Sequence, residues 1–154
     1  MLLIGANVTE TSTKPDVVPG TRYTAPDGKE FVYVQANGAV TQHDAVVIDE
    51  TYQAAALSTS NDARGDLVGA APVAVADDYY FWAQIKGPST IRGAGSVAAN
   101  VRLNATGTAG VLDDDGSTTA AEIISLIATT ANGSTDTAGV PVLLNYPSVG
   151  PIIT

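Results

Sequence analysis

The stretch Leu67 to Pro88, LVGAAPVAVADDYYFWAQIKGP, constrains the fold more than any other part of the chain. It carries the only Trp, four aromatic residues in succession from Tyr79 to Trp82, and the longest apolar run. Residues of strand type broken at Asp77-Asp78 predict two β-strands, Val73 to Ala76 and Tyr79 to Ile85. With the two Asp as the loop, Val75 faces Tyr80 and Val73 faces Trp82, which are favourable aromatic-on-aliphatic pairings. Asp-Asp is a poorer tight loop than Asn-Gly, which leaves room for a longer turn. Pro72 has no N–H to give a ladder, so the first strand is expected at an edge or bulged there.

Side chains alternate across a strand, so Tyr79, Phe81, Ala83 and Ile85 share one face, and Tyr80, Trp82, Gln84 and Lys86 the other. The first set is a core face. The second is amphipathic, with the Tyr and Trp that concentrate at protein contacts. Two readings of it stand, an exposed contact surface and a face covered by a second sheet of the same chain.

A length of 154 residues suits one domain with a real core. Hydrophobic residues make up 45% but aromatics only 6%, and 15 Gly and 8 Pro punctuate the chain. That mixture predicts many short strands and tight turns. Residues 1–28, with three Pro and turn signals at Pro19-Gly20 and Pro26-Asp27-Gly28, read as an extended N-terminal arm. A floppy terminus is the competing reading for residues 1–14. Val17, Val18 and Tyr23 suggest that the later part of the arm lies against something. Residues 29–154 form the β-rich globular domain. Its expected strands are Phe31 to Gln35, Ala45 to Asp49, Tyr52 to Leu57, the central pair, Ser89 to Arg92, Val101 to Leu103, Ala109 to Leu112 and Val140 to Tyr146. Glu122 to Thr130 has helix-like capping and spacing, but its Ile and Thr residues and short length favour a strand.

An internal pattern supports the strand reading. Gly38-Ala39-Val40 recurs as Gly95-Ser96-Val97, and Val46-x-Ile48-Asp49 as Val101-x-Leu103-Asn104. Ala54-Ala55-Ala56-Leu57 answers Ala109-Gly110-Val111-Leu112, and Val68 answers Ile123. Residues 38–87 and 95–147 thus read as two similar halves, which differ by two residues before the third landmark and again near the last strand. Coincidence among Ala, Val and Gly is the competing account. The expected fold is all-β, a sandwich or small barrel of short antiparallel strands preceded by the arm.

The charge balance narrows the partners. Seven Lys and Arg against 16 Asp and Glu give a net charge of −9. Binding to phosphates is driven by basic side chains, so neither nucleic acid nor an anionic membrane is an expected partner. The N-terminus MLLIGANVTE has no basic segment before its apolar residues and reads as neither signal peptide nor anchor. Synthesis in the cytosol, or export by a route this chain does not encode, is therefore expected.

Catalytic chemistry finds little support. His43 is the only His and there is no Cys, so thiolate and imidazole metal sites are not expected and no cofactor is. His43 sits among Thr41, Gln42 and Asp44, which reads as a polar turn. Asp113-Asp114-Asp115-Gly116 lacks the alternating ligands and distant Glu of a calcium loop and reads as a charged turn. Arg64-Gly65-Asp66 spells a cell-adhesion tripeptide, for which coincidence is the default.

The segments Asp77 to Pro88, Asn100 to Asn104, Thr108 to Asp114 and Leu144 to Gly150 resemble small structural proteins of tailed bacteriophages, most closely capsid decoration (cement) proteins. The resemblance implies a compact β-rich, non-enzymatic protein on the outer capsid surface of a virion, bound as a homotrimer to the major capsid protein. The physical reading of the residues adds a candidate contact surface of Val17, Val18, Tyr23, Pro72, Tyr80, Trp82 and Gln84. Three other functions remain open. One is a tail or head-fibre part. The second is a carbohydrate-binding or host-adhesion module with Tyr80 and Trp82 as its sugar platform. The third and least favoured is a hydrolase using paired carboxylates.

Overall fold

The computed structural model describes residues 5–116 and 119–153, and among them there are ten strands and no helix. The strands are β1 (Arg22–Thr24), β2 (Glu30–Ala36), β3 (Ala45–Ile48), β4 (Gln53–Ala56), β5 (Leu67–Ala70), β6 (Tyr80–Gly93), β7 (Arg102–Ala105), β8 (Val111–Asp113), β9 (Ala121–Ala128) and β10 (Ala138–Ile152). The fold is all-β. Glu122 to Ala128 is a strand rather than a helix.

Strand pairing closes two rings that share β6. The first runs β2-β4-β3-β5-β6 and returns to β2. The second runs β6-β8-β7-β9-β10 and returns to β6. Each ring has one parallel pair, β2 with β4 and β6 with β8. This departs from the expected antiparallel arrangement for a simple reason. A closed ring with an odd number of strands cannot alternate direction all the way round.

The sharing of β6 rests on a bend. Tyr80 to Lys86 pairs with β2, and Lys86 to Gly93 pairs with β10. Gly87 at the crossover has φ +94, a left-handed conformation that glycine takes at no steric cost. Ser89 to Arg92, expected as a separate strand, is the continuation of β6 through this bend.

The halves correspond bond by bond in places. Val75 N–H donates to Val40 O at 2.8 Å, and Asn132 N–H donates to Val97 O at 2.8 Å. His43 N–H donates to Ala71 O, and Asn100 N–H to Ala128 O. Both pairs are displaced by 57 residues, and His43 and Asn100 share a positive φ, 70 and 60. The match of Val46-x-Ile48 to Val101-x-Leu103 therefore falls two residues short of the structural equivalence, and no gap separates the first two landmarks.

Apolar burial follows the rings. Val34, Val46, Ile48, Phe81 and Ile85 belong to the cluster inside the first ring. Ile91, Leu103, Leu112, Val140 and Leu144 belong to that of the second. Ala45, Val47, Val68 and Ala70 alternate with first-ring core residues yet join the second cluster, so this outer face of the first ring packs against the second ring.

The central hairpin forms differently from the sequence expectation. The strand before β6 is Leu67–Ala70, and Val73 to Ala76 forms no strand beyond a single bridge from Val75 to Val40. Val75 does not pair with Tyr80, nor Val73 with Trp82; Tyr80 pairs with Gln35 and Trp82 with Tyr33. Pro72 explains the change, because β5 finds its ladder on β3 and the chain leaves the sheet before the proline.

Candidate interaction surface

The even face of β6 is covered by the arm. Phe31, Tyr33 and Trp82 form a cluster, with Ala6, Val8, Val17, Tyr23, Ala25 and Tyr80 packed on it. Tyr33 and Trp82 have ring centroids 4.9 Å apart, Tyr33 and Tyr80 stack at 5.9 Å, and Tyr23 lies 6.0 Å from Trp82. The arm is pinned through its backbone. Ser12 and Tyr80 exchange N–H to O bonds of 3.0 and 2.8 Å, and Gly20 N–H donates to Tyr33 O at 2.7 Å. Asp16 N–H donates to the Tyr33 hydroxyl at 3.2 Å. A small cavity of about 130 Å³ remains beneath the arm, lined by Ala6, Val17, Tyr33 and Trp82 among others. Burial pushes the Tyr33 hydroxyl above its ordinary value.

Of the seven residues expected at a contact surface, two are therefore buried and four half-buried. Trp82 is 6% exposed and Gln84 5%, while Val17, Tyr23, Tyr80 and Pro72 are half-buried. The cover is the arm, not a second sheet. Gln84 has a structural task, since its Nε2 donates to Lys86 O at 3.0 Å and Pro88 O at 2.9 Å across the Gly87 bend. Val18 alone of the set stands out from the surface, 71% exposed. It tips a turn in which Thr21 N–H and Oγ1–H both donate to Val18 O, at 3.0 and 2.6 Å. Pro15, Asp16, Val17, Val18 and Pro19 line an open, mostly apolar concavity there.

A larger bare apolar area lies on the second ring. Ile124, Ile127, Leu143, Tyr146 and Ile152 are each more than two-fifths exposed. Ile127 pairs directly with Leu143 across β9 and β10, and Leu143 with Pro88 on β6. Adjacent apolar residues in a strand must divide between its faces. Ile123 and Leu126 are buried while Ile124 and Ile127 are exposed; Val142 and Leu144 are buried while Leu143 is exposed. The signal was present in EIISLIA and PVLLN.

Ion pairs flank this face. Arg102 Nη1 reaches Glu122 Oε2 at 3.4 Å. At the crossover, the Tyr146 hydroxyl donates to Glu30 Oε2 at 2.5 Å, and Lys86 Nζ lies 3.4 Å from Glu30 Oε1 and 5.4 Å from the centre of the Tyr146 ring. The Tyr146 bond, with Lys86 adding to it, holds the Glu30 carboxyl below its ordinary range. Between the rings, the buried Asp44 carboxylate accepts from Arg92 Nη1 at 2.7 Å and from Thr41 N–H at 2.7 Å.

The other motifs are structural. Gly65 N–H donates to Val149 O, and Asp66 O accepts from Val149 N–H, so the Arg-Gly-Asp tripeptide is tied to β10. The Asp66 side chain shares a hollow with Asp49 and Glu50, and burial first, then those two charges, raise its pKa. In the Asp113 turn, Asp114 Oδ2 accepts from Ala98 N–H and Asn104 Oδ1 from Gly116 N–H, as in a charged connection between strands. His43 passes the main chain between elements, receiving Arg92 N–H at its carbonyl. Neither a family model nor a curated protein matches the sequence.

Proposed function

We propose that the chain is a non-enzymatic structural protein of a tailed-phage virion, bound to the major capsid protein on the outer capsid surface as a homotrimer. The observation that carries this reading is the presence of two separate bare apolar places on one small acidic chain. Val18 tips the arm on the first ring, and the β9–β10 face lies on the second. A protein that cements a lattice needs one contact for the lattice and another for its own neighbours. Linked copies then gain avidity beyond the strength of a single site. The resemblance of Asp77 to Pro88 and of the later segments to decoration proteins supports the same reading.

Val18 is the residue assigned to the capsid, because it is exposed on a turn already held by hydrogen bonds and loses little freedom on docking. Wild type and Val18→Asp should be compared for binding to empty capsids. A loss of at least about tenfold, or about 1.4 kcal/mol, is expected for burying a carboxylate in an apolar contact. Unchanged affinity sinks the capsid assignment of the arm. A tail or head-fibre position would use the same contacts and is distinguished by locating the chain's density on the intact particle.

The sugar-platform reading requires Trp82 to be free, and a glycan would first have to lift the arm away from it. A glycan array with wild type and Trp82→Ala decides between the two. Specific binding that depends on Trp82 would favour adhesion.

A further inference from the structure

We propose that the outer face of β9 and β10 is the surface by which a second copy of this chain is held, with Ile127 and Leu143 at its centre. The inference deepens the reading above by assigning the self-contact to one face, but it stands on three observations of its own.

The first is composition in register. Ile127 and Leu143 face each other across the ladder and are 46% and 49% exposed, with Ile124 at 44% nearby. Large exposed aliphatics on neighbouring strands form a continuous patch, which in soluble proteins marks a contact site.

The second is the equivalence of the rings. In the first ring Ala45 pairs with Ala70, and both are buried against the second ring. In the second ring Arg102 pairs with Ile127 at the place displaced by 57 residues, and both are exposed. The place that the first ring buries at Ala45 and Ala70 against its neighbour within the chain is thus open at Arg102 and Ile127 on the second ring, where none of the described residues covers it.

The third is charge, and it selects the occupant. The molecule carries −9, so most ways of bringing two copies together set acidic surfaces against each other. From Gly116 to Thr154 the sequence carries only Glu122 and Asp136 as charged side chains. Glu122 is matched by Arg102. Two copies meeting on β9 and β10 therefore bring few acidic side chains of these strands together, and the apolar area leaves water on both sides of the contact.

The test uses the full chain without capsids. Sedimentation of the wild type should give a multiple of the 15.6 kDa chain mass. Ile127→Glu and, separately, Leu143→Glu should shift it to a single chain at the same concentration, because each buries a carboxylate in the contact. Both positions are about half exposed in the single chain, so Trp82 fluorescence and the far-ultraviolet β spectrum should not change. Val18→Asp should leave the mass as in wild type. A wild type that sediments as one chain at millimolar concentration, or an Ile127→Glu variant that keeps the wild-type mass, overturns the proposal. Loss of capsid binding by Val18→Asp with the mass unchanged would bear only on the capsid reading. Intact assembly without any capsid binding would defeat that reading and leave this one standing.

Discussion

The two rings share strand order, strand sense and specific backbone bonds, yet they treat their outer faces in opposite ways. The first sets Phe31, Tyr33, Tyr80 and Trp82 outward and closes the arm over them. The second sets Ile124, Ile127 and Leu143 outward and leaves them bare. Aromatic density is therefore not what marks the open surface here. A Tyr or Trp face is costly to leave wet, and this chain covers it with arm residues between Ala6 and Ala25. The plainer aliphatic strip is the one left bare.

The largest effect expected is at the covered face. Trp82→Ala should lower the unfolding free energy by about 3–5 kcal/mol, as for other large buried aromatics, measured in urea. Ile127→Ala, at the bare face, should stay within about 0.5 kcal/mol of the wild-type single chain. A Trp82→Ala loss under about 1 kcal/mol would mean that the arm does not seal the first ring.

Next comes the junction between the rings. Asp44 is held by Arg92 and Thr41, and Gly110 packs its backbone on the Asp44 carboxylate with φ +77. Asp44→Ala should cost about 2 kcal/mol, at the low end for buried ion pairs because Arg92 is 30% exposed and keeps some water. Gly110→Ala should cost a similar amount, from backbone strain together with the clash on Asp44. The double variant should lose less than the sum, since both changes disrupt one contact. Full additivity would show that the two rings are not joined there.

The smallest effect separates the crossover from both rings. The folded state holds Glu30 below its ordinary value of 4.5, so its contribution is complete above that pH and is lost as pH falls through the lowered value. Tyr146→Phe removes the main cause and should cost about 0.5 kcal/mol at pH 7, small because Tyr146 is 41% exposed and the contact is open to water. The difference from wild type should shrink as pH falls below 4.5 and vanish once Glu30 is protonated in both proteins. Asp66 runs the other way: raised by burial, its charge costs stability at neutral pH, and Asp66→Asn should raise the urea midpoint there. A Tyr146→Phe difference that persists at low pH would remove Glu30 from the explanation.

The all-β class, the strand at Glu122 to Ala128 and the core side of Phe81, Ala83 and Ile85 were legible because residue period and β-branching report local geometry directly. What closes the rings was not. Pro72 warned that Val73 to Ala76 makes a poor strand, but nothing local says that β5 turns to β3 instead. Trp82 and Gln84 were placed on the correct face of β6, and the error was in what lies on that face. An arm of Gly, Pro and Asp carries no periodicity from which its docking could be read; only Val17, Val18 and Tyr23 hinted at it. The bare strip was missed, although the doubled apolar residues in EIISLIA and VLL carry a pattern that occupies both faces of a strand.

Strand β6 has one further consequence. Because a single run of chain serves as a wall in both rings, neither ring can open without removing a wall from the other. Unfolding should therefore proceed in one cooperative step, and a protease should find no half-unfolded form to cut. In the virion role proposed above, this means damage is either repaired by refolding or lost whole, with no weakened copies left in place.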